Sequence, residues 1–149
     1  MQLPIFSLPD QNNKTHTNQD YLSSWVVLYS YPKDDTPGCT AEACSFRDLS
    51  SEFNKKGVVI LGISADSVKS HAKFSQKYHL NFHLLSDIDH QILSKLEAWA
   101  PKKMFGREYM GVLRNTYLIN PKGEIVKVYK KVNPLTHARE ILGDIQSYK

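Results

Sequence analysis

The hydrophobic positions of this chain alternate between short uninterrupted runs and longer segments in which they recur every three or four residues. Residues 25–31 and 58–64 are apolar runs, and both predict buried strands. Between them, apolar residues at helical spacing predict a helix over 40–56 that opens at about the first cysteine and ends at Gly57. Short connections between these elements favour a βαβ unit with parallel strands and a right-handed crossover.

The remaining patterns add hairpins near both ends of the chain and three more helices. They predict a turn at 9–13 beside a short hairpin edge, helices at 68–78, 90–96 and 134–148, a strand at 82–85, and a hairpin of 116–119 with 124–132 around a turn at 120–123. The last helix carries an apolar face made of Leu135, Ala138, Ile141, Leu142 and Ile145. This order predicts a thioredoxin-like α/β fold, with a central mixed β-sheet flanked by helices, in a single domain over residues 1–149.

Composition narrows the range of functions. The net charge is +4, but the basic residues are scattered singly or in pairs with acids between them, so specific nucleic-acid binding is not expected. The apolar runs are far shorter than the ~20 residues that a membrane span needs, and no membrane association is expected. Two cysteines are too few for a secreted disulfide framework, and we therefore expect a reducing, cytoplasmic setting.

Candidate chemistry concentrates at Cys39 and Cys44. Cys39 follows a Pro-Gly pair at the start of the predicted helix, where the helix dipole and free backbone N–H groups favour a thiolate. It shares a helix face with Ala43 and Phe46, four and seven residues on, so we expect its side chain to point toward the core side or a pocket beside it. In a helix, residues five apart have Cα atoms roughly 8–9 Å apart, whereas a disulfide needs about 4.4–6.8 Å. If both cysteines are helical, the first turn has to open before they can form a bond.

The other side chains give weaker indications of function. Buried free cysteines commonly act as small hydrophobic core residues, and Cys44 alone would suggest nothing more. No metal site is expected, because metal-ligand spacing is absent among the six histidines, which we expect to be solvent-facing or capping: His16, His71, His79, His83, His90 and His137. No phosphate cradle or nicotinamide or flavin fingerprint is present, so no cofactor is expected and electrons would arrive by thiol exchange.

Residues 31–44 resemble the active-site signature of the peroxiredoxins, Pro-x-x-x-Thr/Ser-x-x-Cys, here carried by Pro32, Thr36 and Cys39. The longer run, with a second cysteine five residues on, is similar to the bacterioferritin-comigratory, or Q-type, branch of that family. Further similarities at 6–10, 61–64, 84–87 and 109–119 follow in the same order along the chain. The resemblance implies the thioredoxin-like fold and a thiol peroxidase.

The resemblance also implies a role for each of six residues. Cys39 would be the peroxidatic thiolate and Cys44 the resolving thiol. Around them would lie the active-site guanidinium of Arg114, the peroxide-binding hydroxyl of Thr36, the shielding ring of Pro32, and the carboxylate of Glu42 that orients the guanidinium. Elementary chemistry supports these roles, because a guanidinium fork and a hydroxyl can both hydrogen-bond peroxide oxygens as charge moves from sulfur to oxygen.

The resemblance implies reduction of hydrogen peroxide and organic hydroperoxides, a Cys39–Cys44 disulfide, and its reduction by thioredoxin or a similar dithiol, in a monomeric protein. Two alternatives stay open. A general thiol–disulfide oxidoreductase could share the fold, although Cys-x-x-Cys is absent and Arg114 is present. A redox-sensing or chaperone-like module could use the cysteine pair as a switch without peroxidase turnover.

Overall fold

The amino-terminal hairpin and the βαβ unit are present in a computed structural model, which describes residues 1–149. The hairpin pairs β1 (Ser7–Pro9) with β2 (Thr15–Thr17), as the early turn predicted, and a 3-10 helix (Asn18–Tyr21) follows. The βαβ unit consists of β3 (Trp25–Ser30), α1 (Pro37–Lys55) and β4 (Val58–Ser64).

The second half of the chain completes the sheet and its covering layers. Its elements are α2 (Val68–Tyr78), β5 (His83–Ser86), α3 (Gln91–Lys95), β6 (Trp99–Met104), β7 (Arg107–Val112), β8 (Thr116–Ile119), β9 (Ile125–Tyr129), α4 (His137–Asp144) and a 3-10 helix (Ile145–Ser147). Five strands form one sheet in the order β5-β4-β3-β8-β9. Strands β3, β4 and β5 are parallel, whereas β8 and β9 are antiparallel to their neighbours, which confirms the predicted mixed sheet.

The two faces of the sheet build two hydrophobic cores. Successive residues of a strand point to opposite faces, and along β3 Val27 belongs to one core and Val26 to the other. The first core is covered by α1 and α4, for example through Phe46 and Ile141. The second is covered by α3, through Leu93. Helices thus flank both faces, as predicted.

Two helices differ from their predicted bounds at the amino end. Helix α1 begins at Pro37 rather than at about 40, because the fixed φ of proline suits the first helical position after Thr36 as N-cap. Helix α4 begins only at His137, and Leu135 is 73% exposed instead of facing the core. The Asn133 side chain accepts a hydrogen bond from the Leu135 N–H at 2.9 Å, and this local turn replaces the first helical turn.

Strands β6 and β7 form a separate antiparallel hairpin that the hydrophobic pattern did not predict. Both strands are mostly exposed, so no buried face imposes a period of two on their sequence. The turn between them places Phe105 and Gly106 at positive φ and leaves Phe105 98% exposed. None of the helices combines the length and the apolar composition needed to cross a membrane.

Candidate active site

Cys39 lies in the first turn of α1, just beyond the carboxyl end of β3. Its side chain is on the same helix face as Ala43 and Phe46 and is 1% exposed, within the core cluster below the sheet, as the helical spacing predicted. The helix has Thr36 as its N-cap, but the Thr36 side chain makes no capping hydrogen bond. The first N–H groups therefore stay available to an oxygen bound beside the thiol.

Arg114, from the segment between β7 and β8, connects the thiol to a buried carboxylate. Its Nη2 donates to the Sγ of Cys39 at 3.3 Å, and its Nη1 donates to the Oε1 of Glu42 at 2.9 Å. A Cβ atom at Gly38 would lie 3.1 Å from Nη2, so the absence of a side chain there lets the guanidinium approach the helix. The structure thus brings together three of the residues predicted from sequence.

Glu42 is fully buried in the first turns of α1. Burial raises the pKa of its carboxyl from the ordinary 4.5 to about 7, although the charge and the hydrogen bond of Arg114 act in the opposite direction. Its second oxygen, Oε2, is buried and has no hydrogen-bond partner. This carboxyl is held in place by Arg114 alone, which fits the predicted role of orienting the guanidinium.

The electrostatics of the guanidinium depend on both of its partners. Burial disfavours the charged form, but the charges of Cys39 and Glu42 and their hydrogen bonds outweigh burial and raise the pKa of Arg114. Lys102 of β6 is a second cation near this group: burial lowers its pKa first, and repulsion from Arg114 lowers it further. The site therefore keeps a permanent positive charge beside the sulfur.

Pro32 and Thr36 lie in the segment that joins β3 to α1. Both side chains are partly buried, and the Thr36 hydroxyl donates to the carbonyl oxygen of Lys33 at 3.0 Å. With its proton committed to that carbonyl, the hydroxyl oxygen keeps lone pairs that can accept a hydrogen bond from a peroxide. The shielding role of Pro32 stays a prediction.

Cys44 is partly buried and, like Cys39, a free thiol. Both residues belong to the continuous helix α1. Helical geometry places their Cα atoms roughly 8–9 Å apart, beyond the about 7 Å at which a disulfide requires backbone movement. The helix seen here is therefore the arrangement for chemistry at Cys39 alone.

Sequence reasoning missed a buried polar network that holds the segment between β3 and α1. The Asp34 carboxylate accepts from the Tyr31 hydroxyl at 2.6 Å, and its other oxygen lies 2.7 Å from His71 Nδ1 on α2. The Asp34 N–H donates to Asp66 at 2.9 Å. His71 and Asp66 are more than 30 residues from Asp34 along the chain, so no local spacing could have indicated these two partners. The network fixes the backbone that carries Pro32 and Thr36.

The expectation for the histidines needs correction. The histidines are not generally solvent-facing, because His16, His71 and His137 are buried and hydrogen-bonded to other side chains. Each has a polar partner that offsets the cost of burial.

A thioredoxin-like sheet with a helix-terminal thiol held against a guanidinium defines a peroxiredoxin. Residues 1–128 match the AhpC/TSA family. A putative peroxiredoxin Bcp of Coxiella burnetii is 48% identical over 140 residues, which cover 94% of this chain and 93% of that protein. The peroxiredoxin Bcp of Bacillus subtilis is 43% identical over 139 residues, 93% of this chain and 88% of that one. The chain belongs to the AhpC/TSA family, among its Bcp peroxiredoxins.

Solved structures agree with this assignment. The bacterioferritin comigratory protein of Xanthomonas campestris, studied for its alkyl peroxide reduction activity, superposes with a TM-score of 0.91 at 37% identity. The superposition covers 96% of this chain and 91% of that one. A peroxiredoxin Q structure from the same organism gives a TM-score of 0.92 at 38% identity over 97% of this chain and 92% of that one. The thioredoxin-like fold is therefore confirmed by known structures as well as by the sheet topology.

Proposed function

We propose that this peroxiredoxin reduces hydrogen peroxide and organic hydroperoxides at Cys39, forms a Cys39–Cys44 disulfide, and is returned to the dithiol by thioredoxin. One observation carries the proposal: Arg114 donates both to the Cys39 sulfur at 3.3 Å and to the buried Glu42 carboxylate at 2.9 Å. A cation fixed in this way stabilises a thiolate and points donors at the place where a peroxide oxygen would bind.

In the first step, the Cys39 thiolate attacks one peroxide oxygen. The S–O bond forms as the O–O bond breaks, so the sulfur loses two electrons and the peroxide gains them. The departing hydroxide or alkoxide takes up a proton and leaves as water or an alcohol. Donors from Arg114 and the helix start stabilise the charge as it moves to oxygen, and this favours the transition state over the ground state. The alkyl peroxide reduction activity studied for the Xanthomonas relative supports organic hydroperoxides as substrates.

In the second step, Cys44 resolves the sulfenic acid. The start of α1 opens, and the Cys44 sulfur displaces hydroxide from the Cys39 sulfur to give a disulfide and, with the thiol proton, water. An external dithiol then reduces this disulfide through a mixed disulfide. The bridge closes a loop of only a few residues, so it resembles an exchangeable bond more than a structural one.

The remaining features of the proposal concern setting and assembly. We propose a cytoplasmic location, because two thiols that must return to the reduced state fit a reducing compartment. We propose a monomeric active form, because one chain supplies all six proposed residues of the cycle: Pro32, Thr36, Cys39, Glu42, Cys44 and Arg114.

A coupled assay tests the proposal, with NADPH oxidation followed in the presence of thioredoxin reductase, thioredoxin and peroxide. Cys39→Ser should abolish turnover. Cys44→Ser should consume one equivalent of peroxide per chain and then stop, because the sulfenic acid forms but has no partner. Full turnover in Cys39→Ser would refute the peroxidatic role, and normal cycling in Cys44→Ser would refute the resolving role. Efficient reduction of insulin would instead favour a general thiol–disulfide oxidoreductase.

A further inference from the structure

Away from the thiols, the fold brings one buried carboxylate and two imidazoles together. Asp10 follows β1, His16 lies in β2, and His83 begins β5. Asp10 Oδ2 lies 2.7 Å from His16 Nε2 and 3.0 Å from His83 Nδ1, and the three potential ligand atoms all lie within 4.8 Å of one another. We call these residues the Asp10 cluster. The histidines are far apart in the sequence, so spacing along the chain could not indicate it.

The Asp10 cluster is held in position by surrounding hydrogen bonds. The carboxylate of Asp10 uses Oδ1 to accept from the backbone N–H groups of Asn12, at 2.8 Å, and Lys14, at 3.0 Å, which leaves Oδ2 directed at the imidazoles. His16 Nδ1 lies 2.6 Å from the hydroxyl of Tyr21. Partners of this kind fix ring orientation and tautomer in metal sites. Since a tyrosine hydroxyl both donates and accepts, it can serve either tautomer of His16.

His83 supplies the observation that a hydrogen-bonded pair does not explain. Its Nδ1 atom is buried and lies 3.0 Å from Asp10 Oδ2, but the direction of the ring does not allow a hydrogen bond. The rest of the ring is open to solvent, with 45% of the side chain exposed. A buried nitrogen without a partner is costly, and a cation between it and the carboxylate would use its lone pair. The exposed side of the ring leaves a path for an ion and room for water.

We propose that Asp10, His16 and His83 bind one divalent transition-metal ion, with Zn²⁺ as the type case, and that water takes the fourth position. Two imidazole nitrogens and a carboxylate oxygen form a donor set that suits Zn²⁺. Ligands at 2.0–2.2 Å from a tetrahedral ion are about 3.3 Å apart, so the separations of 2.7 and 3.0 Å here would widen by about 0.6 and 0.3 Å. Zn²⁺ at Nε2 requires the His16 tautomer whose single ring proton is on Nδ1, and this N–H then donates to the Tyr21 hydroxyl oxygen 2.6 Å away.

The metal would join the hairpin β1–β2 to the first residue of β5. The same surfaces are already joined by Gln11, whose amide donates to the Phe82 carbonyl and accepts from the Leu84 N–H, both at 2.9 Å. The ion would strengthen this contact at the amino end of β5, whereas Cys39 follows the carboxyl end of the parallel strand β3. The proposal is thus independent of the peroxidase function.

Calorimetric titration with Zn²⁺ tests the proposal, in a Cys39→Ser/Cys44→Ser background so that thiols cannot bind the metal. We expect one Zn²⁺ per chain and an affinity at least about tenfold weaker in His83→Gln. That variant should fold normally, because His83 is half-exposed and Nδ1 makes no hydrogen bond. His79→Asn is the matched control: it replaces an exposed histidine at positive φ with a residue that tolerates this backbone, and should bind Zn²⁺ unchanged.

Co²⁺ provides a second readout, because a tetrahedral nitrogen and oxygen site gives intense visible bands that an octahedral aqua ion lacks. We expect these bands in the thiol-free chain and their loss in His83→Gln. Failure of the thiol-free chain to bind Zn²⁺, or equal affinity in His83→Gln and His79→Asn, would overturn the proposal.

Discussion

Replacing Arg114 with methionine removes the guanidinium and keeps a long side chain, which makes it the sharpest test of how the site activates sulfur. The change deletes the hydrogen bond to Cys39 Sγ at 3.3 Å and the ion pair with Glu42 at 2.9 Å. Hydrogen bonds to charged groups contribute about 1.5–3 kcal/mol, and about 1.36 kcal/mol corresponds to a tenfold change in rate. We therefore expect the second-order rate constant for hydrogen peroxide to fall about 10- to 150-fold.

The same change also affects stability, and the two effects can be separated. Arg114→Met leaves the Glu42 carboxyl buried without a cation, and breaking a buried pair costs about 3–5 kcal/mol when the remaining charge persists. Because burial already raises the pKa of Glu42 to about 7, protonation keeps the loss below that limit. The double variant Arg114→Met/Glu42→Gln should regain stability but not the rate.

The assay is stopped-flow fluorescence of Trp25 and Trp99 on the fully reduced protein, with urea unfolding measured for each variant. Arg139→Met, which removes an exposed arginine from α4, is the matched control and should keep the wild-type rate. A rate within threefold of wild type in Arg114→Met, or recovery of the rate in the double variant, would refute the role of Arg114 in activating the sulfur.

Three further predictions follow from the same geometry. The pKa of Glu42 is raised from 4.5 to about 7 in the folded protein. The free energy of unfolding of the wild type should therefore fall by up to about 3 kcal/mol as pH rises from about 4.5 to above 7. Urea titrations of Glu42→Gln should show no such dependence on pH. Gly38→Ala should slow peroxide reduction, because its Cβ would lie 3.1 Å from the Arg114 guanidinium. The control Gly143→Ala has open space around its Cβ and should add up to about 1 kcal/mol of stability at an unchanged rate. Equal rates in Gly38→Ala and the wild type would contradict this prediction. One equivalent of peroxide should lower the helical circular dichroism of the wild type but not of Cys44→Ser, and an unchanged wild-type signal would show that the first turns need not open.

Much of the fold was accessible from sequence because the central elements have strong patterns. The apolar runs of β3 and β4 are buried on both faces, and the helical stripe of α1 includes Cys39, so the βαβ unit and the buried thiol were predicted together. The hairpin β6–β7 was missed because its strands face solvent. Leu135 was misplaced because the turn made by the Asn133 side chain outweighed helical periodicity.

The polar residues can be divided in the same way, into those predicted from the sequence and those that only the tertiary fold brings together. Cys39, Arg114 and Glu42 stand at positions that match the peroxiredoxin pattern, so their roles are implied by the resemblance. The contact of Asp34 with His71 at 2.7 Å and that of Asp10 with His83 at 3.0 Å join side chains from distant segments. Such pairs leave no periodic trace in a single sequence, because tertiary packing alone decides which polar groups meet.

Whether Cys39 is a preorganised peroxidatic thiolate is decided by the rate of its first oxidation. The measurement is the second-order rate constant of the fully reduced protein with hydrogen peroxide, followed by tryptophan fluorescence in stopped flow, with Cys39→Ser as the blank. We expect a rate constant orders of magnitude above that of free cysteine, with no reaction in the blank. A constant equal to that of free cysteine would contradict this expectation.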